Sequence, residues 1–340
     1  MSGSPRIAAR VAALVLLIGM SMAPSASATG SIDVLDPQDP RPQQPHAQGD
    51  IPGSSAGCAK GRRAPSEQET AAGSQPGSVR SGGLERTYIQ HLPEGYSAQK
   101  TWPVVLVFHG RGSTAAETQE FSGLDRLPAV VVYADGVPGS LEDPRQAWEG
   151  APYSAEGVDD LAFVDDLLDQ LEGDLCLDTS RVYATGKSNG AGFVGILACE
   201  RSQRITGIAP VAGAFYATRH RECSPSRPVP VVEMHGTADA TIPYDGDPAR
   251  GLPSIPGWTA AWAERNGCRG AVTTSSPAAD IEIDRHRGCH RGAEVTHVRV
   301  QGGGHTWPGA DAYSGGGATT HSVEATDLLW NTLNHYRLPR

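Results

Sequence analysis

The sequence predicts a three-layer, doubly wound α/β sandwich built on a mostly parallel sheet. Short apolar runs recur along the chain, "WPVVLVFHG", "AVVVYADG", "RVYATG", "ITGIAPVAG", "VPVVEMHG" and "EVTHVRVQGGGH". Their apolarity is continuous rather than alternating, as in strands buried on both faces. Helical patterns lie between them: Val158, Leu161, Val164, Leu167, Leu168 and Leu171 fall at three- and four-residue steps, with Asp and Glu on the opposite face. The apolar runs also end in glycine-bearing loops, and in such folds function gathers at the carboxyl ends of the strands.

Taken from the start, residues 1–28 read as a secretory signal peptide. Arg6 and Arg10 precede the apolar "VAALVLLIGM", and Ala26 and Ala28 fit a small-residue cleavage site before Thr29. The apolar run is too short to span a bilayer, so an exported, extracellular protein without membrane attachment is expected. Residues 29–57, rich in Pro, Gln, Gly and Asp and without apolar period, read as a disordered leader. Residues 58–340 suit one large α/β domain. Within it, further helices are expected at 190–201, 256–266 and 322–337, the last with Ser322 as a candidate cap.

The chain carries a formal charge of −10, and losing Arg6 and Arg10 with the signal makes it more acidic still. No block of Lys or Arg forms a stripe for phosphates, which argues against a nucleic-acid partner. Cys58, Cys176, Cys199, Cys223, Cys268 and Cys289 are an even set in an exported chain, so three disulfides are expected. Local spacing favours Cys268 with Cys289 and Cys199 with Cys223, leaving Cys58 for Cys176, while other connectivities stay open. A metal site at His286, Cys289 and His290 in "HRGCH" is the competing use of that stretch. It lacks a second ligand set at zinc-finger spacing, so neither metal nor cofactor is expected.

Chemistry is suggested first by "VYATGKSNGAGF", where Ser188 stands between Gly186 and Gly190 at a strand-to-helix passage. The two glycines remove Cβ atoms where a strand turns sharply into a helix, so that a strained serine projects its oxygen outward. The competing reading is a glycine-rich turn with a helix-capping serine. The other strand ends weigh against it: "HGRG" follows the first strong strand, Asp239 lies in "HGTADATIPY", and His305 in "GGGHTWPG". The order Ser, Asp, His is that of α/β-hydrolases. A serine hydroxyl needs an imidazole to take its proton and a carboxylate to hold that imidazole in the right tautomer. Ser188, His305 and Asp239 are expected in those roles, with the backbone N–H groups of Asn189 and Arg111 as the oxyanion hole. Taken singly, Asp239 is an ordinary turn aspartate and His305 a loop histidine; four loops in the proper order favour the constellation. His109 and His235 also follow strands, but their "HG" turns suit buried histidines bonded to loop backbone. Trp148 and Trp307 are expected to line an aromatic substrate cleft.

From "AGCAKG" nearly to the end, the chain resembles the secreted feruloyl esterases and poly(3-hydroxybutyrate) depolymerase-like esterases, the carbohydrate esterase family 1-like group. The resemblance rests on "VVVYADG", "VDDLAFVDDLL", "DLCLDTSRVYATGKSNGAGF", "LACE", "APVAG", "HGTADATIPY" and "GGGHTWPG". It implies an α/β-hydrolase fold and a carboxylic ester hydrolase with nucleophile Ser188, acid Asp239 and base His305. It also implies hydroxycinnamate esters of plant cell-wall polysaccharide, xylan among them, or short aliphatic polyesters as substrates. The chain departs from the pattern at Lys187, where many relatives have an apolar residue, and at "HGRG", where polyester depolymerases carry a cysteine. "GCAK", "DLCLDT" and "HGRG" look closest to the feruloyl branch, so a monomeric feruloyl esterase is the first expectation. A polyester depolymerase or acetylxylan esterase is the alternative, and a peptidase or acyltransferase could use the same triad. A non-catalytic binding protein on a hydrolase scaffold is the reading from another class.

Overall fold

Residues 53–60, 72–217 and 222–339 are described by the computed structural model; the expected signal peptide and residues 29–52 of the expected leader lie outside them. The end of that leader is already packed. Ser55 is buried, donates its N–H to Leu177 O at 3.0 Å and accepts the Leu177 N–H on its Oγ at 2.8 Å. Buried backbone needs such partners, and the chain finds them against the start of the strand that Leu177 opens.

After the short helix α1 (Gly57–Lys60) come a hairpin, β1 (Gly73–Ser81) and β2 (Leu84–Leu92), then β3 (Trp102–Phe108), α2 (Ala115–Ser122) and β4 (Val130–Ala134). A two-stranded ribbon, β5 (Val137–Pro138) with β6 (Gln146–Ala147), precedes α3 (Asp160–Asp174), β7 (Leu177–Lys187), α4 (Asn189–Glu200), β8 (Gly207–Val211) and β9 (Val231–Gly236). The chain ends with α5 (Ile255–Arg265), β10 (Thr273–Ala278), β11 (Ile281–His286), β12 (Val295–Val300) and α6 (Ala325–Leu333).

Ten strands form one sheet in the order β1-β2-β4-β3-β7-β8-β9-β12-β11-β10. From β4 to β12 neighbours run parallel, and antiparallel hairpins close both edges. Successive residues of a strand face opposite sides, and both sides are covered. Val104, Leu106 and Phe108 of β3 pack toward α3, α4 and α5, while Val105 and Val107 pack toward α2 and α6. That double burial is why the strands read as continuous apolar runs. The result is the expected three-layer α/β-hydrolase sandwich.

Helix starts follow local capping. Asp159 accepts the Ala162 N–H and opens α3, leaving Val158 outside; Ser254 opens α5 with Pro256 in its first turn. The expected cap at Ser322 is not one: α6 begins at Ala325, and the Ser322 N–H instead donates to Thr320 Oγ1 at 3.0 Å. Helix α2, unforeseen in the sequence, begins with a capping box of Thr114 and Glu117. The cysteines pair as Cys58–Cys176, Cys199–Cys223 and Cys268–Cys289, which takes the Cys289 thiol out of "HRGCH" as a ligand. Among the described residues no helix is long and apolar enough to cross a membrane.

Candidate active site

Strand β7 ends at Lys187 and α4 begins at Asn189, so Ser188 makes the whole turn, at φ 57° and ψ −118°. That region of backbone space is costly for a residue with a Cβ, by roughly 1–3 kcal/mol. The surroundings impose it: the Ser188 N–H donates to Val211 O at 3.0 Å, and its carbonyl accepts from Gly192 at 3.0 Å and Ala214 at 2.9 Å. Its hydroxyl makes no capping bond, which removes the capping explanation for this serine. The flanking glycines have a steric reason. A Cβ on Gly186 or Gly190 would stand 2.6 or 2.2 Å from Phe108 O, so only glycine lets the end of β3 approach the turn. The β3 loop then passes over Ser188, with a Cβ on Gly110 falling 3.4 Å from Ser188 Cβ.

Two backbone donors open here. The Asn189 N–H belongs to the first turn of α4, where no intrahelical acceptor exists. The Arg111 N–H has no acceptor among the described residues. His109 fixes the loop that carries Arg111. Its Nε2 accepts the Gly136 N–H at 2.8 Å and its Nδ1 faces Gly110 O at 2.7 Å. A carbonyl only accepts, so the proton sits on Nδ1 and the ring is neutral; burial lowers its pKa accordingly.

Trp148 and Trp307 are not cleft residues. Trp148 is 0% exposed, stacked on Phe193 at 5.5 Å between centroids, and donates Nε1–H to His109 O at 3.0 Å. Its backbone is gripped by Asn189, whose Oδ1 accepts the Trp148 N–H at 2.8 Å. Trp307 is 1% exposed and packs on Phe121. Both expectations fail for one reason: large rings next to the strand ends complete the core beneath the loops instead of lining their rim. A half-buried aromatic pair lies beside the Arg111 side chain: Tyr153 against Tyr216, edge to face at 5.9 Å, with the Arg111 guanidinium 4.0 Å over the Tyr153 ring and ion-paired to Asp143.

The other strand ends supply an imidazole and a carboxylate. His305 Nδ1 meets Asp239 Oδ2 at 2.7 Å, and Asp239 Oδ1 accepts the Thr241 and Ile242 N–H groups, both at 2.8 Å. The His305 loop is anchored by its N–H to Gly316 O at 2.7 Å. Burial lowers the His305 pKa; the bond to Asp239 opposes this, and the Lys187 charge adds to it. Burial works against ionised Asp239, yet hydrogen bonds from His235 and His305 hold it below the usual carboxylate range. Among the described residues neither Ser188 Oγ nor His305 Nε2 has a hydrogen-bond partner. Lys187 is buried with its Nζ against Gly315 in the loop after His305, and burial brings its pKa down to about 8.

Sequence reading missed how His235 is used. It does bond loop backbone, Nε2 to Ile242 O at 3.0 Å, but the same nitrogen lies 3.3 Å from Asp239 Oδ2 and its Nδ1 lies 3.1 Å from Glu233 Oε1. The available signal was Glu233 itself, a carboxylate two residues away inside an otherwise apolar strand, which burial tolerates only with a partner.

No protein-family model matches the chain. Feruloyl esterase B of Piromyces equi is 26% identical over 235 residues, which cover 65% of this chain and 42% of that protein. The matched region is thus less than half of that relative. The putative esterase NocK of Nocardia uniformis subsp. tsuyamanensis is 30% identical over 258 residues, 67% of this chain and 72% of that protein. Feruloyl esterase D of Neurospora crassa is 26% identical over 261 residues, 74% of this chain and 82% of that one.

Proposed function

We propose that this chain, which belongs to the feruloyl esterase-like family of α/β-hydrolase esterases, is a secreted serine hydrolase that releases hydroxycinnamates such as ferulate from esterified plant cell-wall polysaccharide. Ser188 Oγ attacks the ester carbonyl while His305 Nε2 takes its proton, and Asp239 holds the Nδ1–H of the resulting imidazolium. The tetrahedral oxyanion accepts from the Asn189 and Arg111 N–H groups. Collapse breaks the C–O bond to the alcohol, which leaves with the proton from His305. Water, deprotonated by the same imidazole, then attacks the acyl-enzyme and releases the acid and Ser188. The aromatic acyl group is held against the Tyr153–Tyr216 edge. Three disulfides support a life in an oxidising, extracellular compartment.

The observation that carries this reading is the backbone of Ser188, held in a strained turn with its hydroxyl uncommitted. It is tested with purified protein on methyl ferulate. Ser188→Ala should lower turnover by about 10⁴- to 10⁶-fold with the unfolding temperature unchanged, and a serine-directed phosphonate should label the wild type at that residue. A variant retaining more than a few per cent of activity removes Ser188 as nucleophile. A wild type that clears poly(3-hydroxybutyrate) and ignores methyl ferulate removes the substrate and leaves the mechanism.

A further inference from the structure

Behind the Asp239–His305 pair runs a line of buried ionisable side chains that ester hydrolysis does not require. Glu233 and His235 are two apart on β9 and so share a face. His297 of β12 lies in register with Glu233 and reaches the same side. The links are continuous: Asp239 Oδ2 to His235 Nε2 at 3.3 Å, His235 Nδ1 to Glu233 Oε1 at 3.1 Å, Glu233 Oε2 to His297 Nδ1 at 2.7 Å, and His297 Nε2 to the Tyr244 hydroxyl at 2.8 Å. Glu233 and His235 are 0% and 1% exposed.

The atoms decide where the protons sit. His235 Nε2 faces a carbonyl and a carboxylate, both acceptors, so it carries a proton. Its Nδ1 faces Glu233, which has an imidazole nitrogen against each oxygen. A fully buried carboxylate with two such donors is satisfied only when both donate, and this puts the second proton on His235. We propose that Glu233 and His235 are positioning residues for the reaction: Glu233 holds His235 as an imidazolium, which shares Asp239 Oδ2 with His305 and fixes the carboxylate's orientation and effective charge. The inference rests on the assignment of Asp239 and His305 made above.

The charge has a direct consequence. His305 is faced by Asp239, which favours its protonation, and by His235 and Lys187, which oppose it. A positive His235 therefore keeps His305 free to accept a proton at more acidic pH. Its own titration agrees: burial opposes the charged form, but the bonds to Asp239 and Glu233 outweigh it and push the pKa up to about 9. For Glu233, burial is outweighed by the bonds to His235 and His297, which hold it ionised.

Glu233→Gln keeps the shape and both hydrogen bonds, the amide donating to His235 Nδ1 and its oxygen accepting from His297, but leaves His235 neutral. In the folded variant the acid limb of kcat/KM for p-nitrophenyl acetate should move up by roughly half a pH unit with KM unchanged. A folded variant whose acid limb stays put overturns the proposal. Nitrogen NMR on the histidine-labelled wild type reads the charge directly, without substrate or mutation: an imidazolium at His235 near neutral pH supports the proposal, and a neutral ring overturns it. Failure of the esterase reading would look different, as a wild type inert toward every ester with His235 still charged.

Discussion

His109 and His235 stand at the ends of β3 and β9 in the same dipeptide, "HG", and both are buried, yet one is neutral and the other charged. His109 has a carbonyl on one nitrogen and a backbone N–H on the other, so a single proton satisfies it. His235 meets only acceptors, two of them carboxylates, so it needs two. Burial lowers the pKa of the first, while hydrogen bonds outweigh burial and raise that of the second. The difference teaches that burial alone does not set the charge of a histidine; the donors and acceptors around it do. Of two parallel inner strands, β3 ends in a neutral clasp that shapes the Arg111 loop, and β9 in a charged clasp that grips a side chain.

The largest test of the contrast falls where the charged arm ends. Asp239→Asn removes the acceptor shared by two imidazoles and should lower kcat by about 10⁴-fold through the wrong His305 tautomer. A loss below tenfold, measured on p-nitrophenyl acetate, would mean that the arm ends at no working group. A smaller effect is expected at the neutral clasp. His109→Ala strips the Gly136 N–H and Gly110 O of partners and opens a cavity beside Trp148, for about 2–4 kcal/mol of stability. It should cost roughly 10- to 100-fold in turnover as the oxyanion loop loosens. Its acid limb should not move, because no charge is removed. A His109 variant that shifts the pH profile as Glu233→Gln does would erase the distinction between the two histidines.

The layered fold was legible because its strands are buried on both faces, and the Ser188 turn because Gly186 and Gly190 have no steric alternative beside Phe108. The order of the strand-end loops carried Asp239 and His305. What stayed hidden depends on partners distant in sequence. Glu233 meets His297 only through the β9–β12 register, and Trp148 reads as a rim aromatic until Phe193 and the His109 carbonyl are seen to enclose it. Edge elements were also missed. The β1–β2 hairpin has one solvent-facing side and mixed polarity, so it lacks the continuous apolar run that marks the central strands.

The two clasps should finally pull stability in opposite directions with pH. The His109 pKa is lowered on folding, so an unfolded chain binds a proton there that the native one refuses, and stability falls as pH drops below about 6.5. His305 and His286 are lowered as well and share that sign, which makes the acid side a poor discriminator. The His235 pKa is raised to about 9, so its contribution is complete below the unfolded value near 6.5 and is lost as pH rises toward 9. Lys187, lowered to about 8, acts the other way, since its native ammonium is half deprotonated at that pH while the unfolded one keeps its proton. Between about 6.5 and about 8 the lowered histidines and Lys187 contribute slopes of the opposite sign, so the contribution of His235 is read as the difference between the wild type and Glu233→Gln, which share those groups. Across that interval, urea unfolding of the wild type should lose on the order of 1–2 kcal/mol relative to Glu233→Gln, since the charge is shared with Glu233 and Asp239. A wild-type curve that runs parallel to that of the variant would mean His235 is neutral in the native state, and the two histidines would then differ in partners without differing in charge.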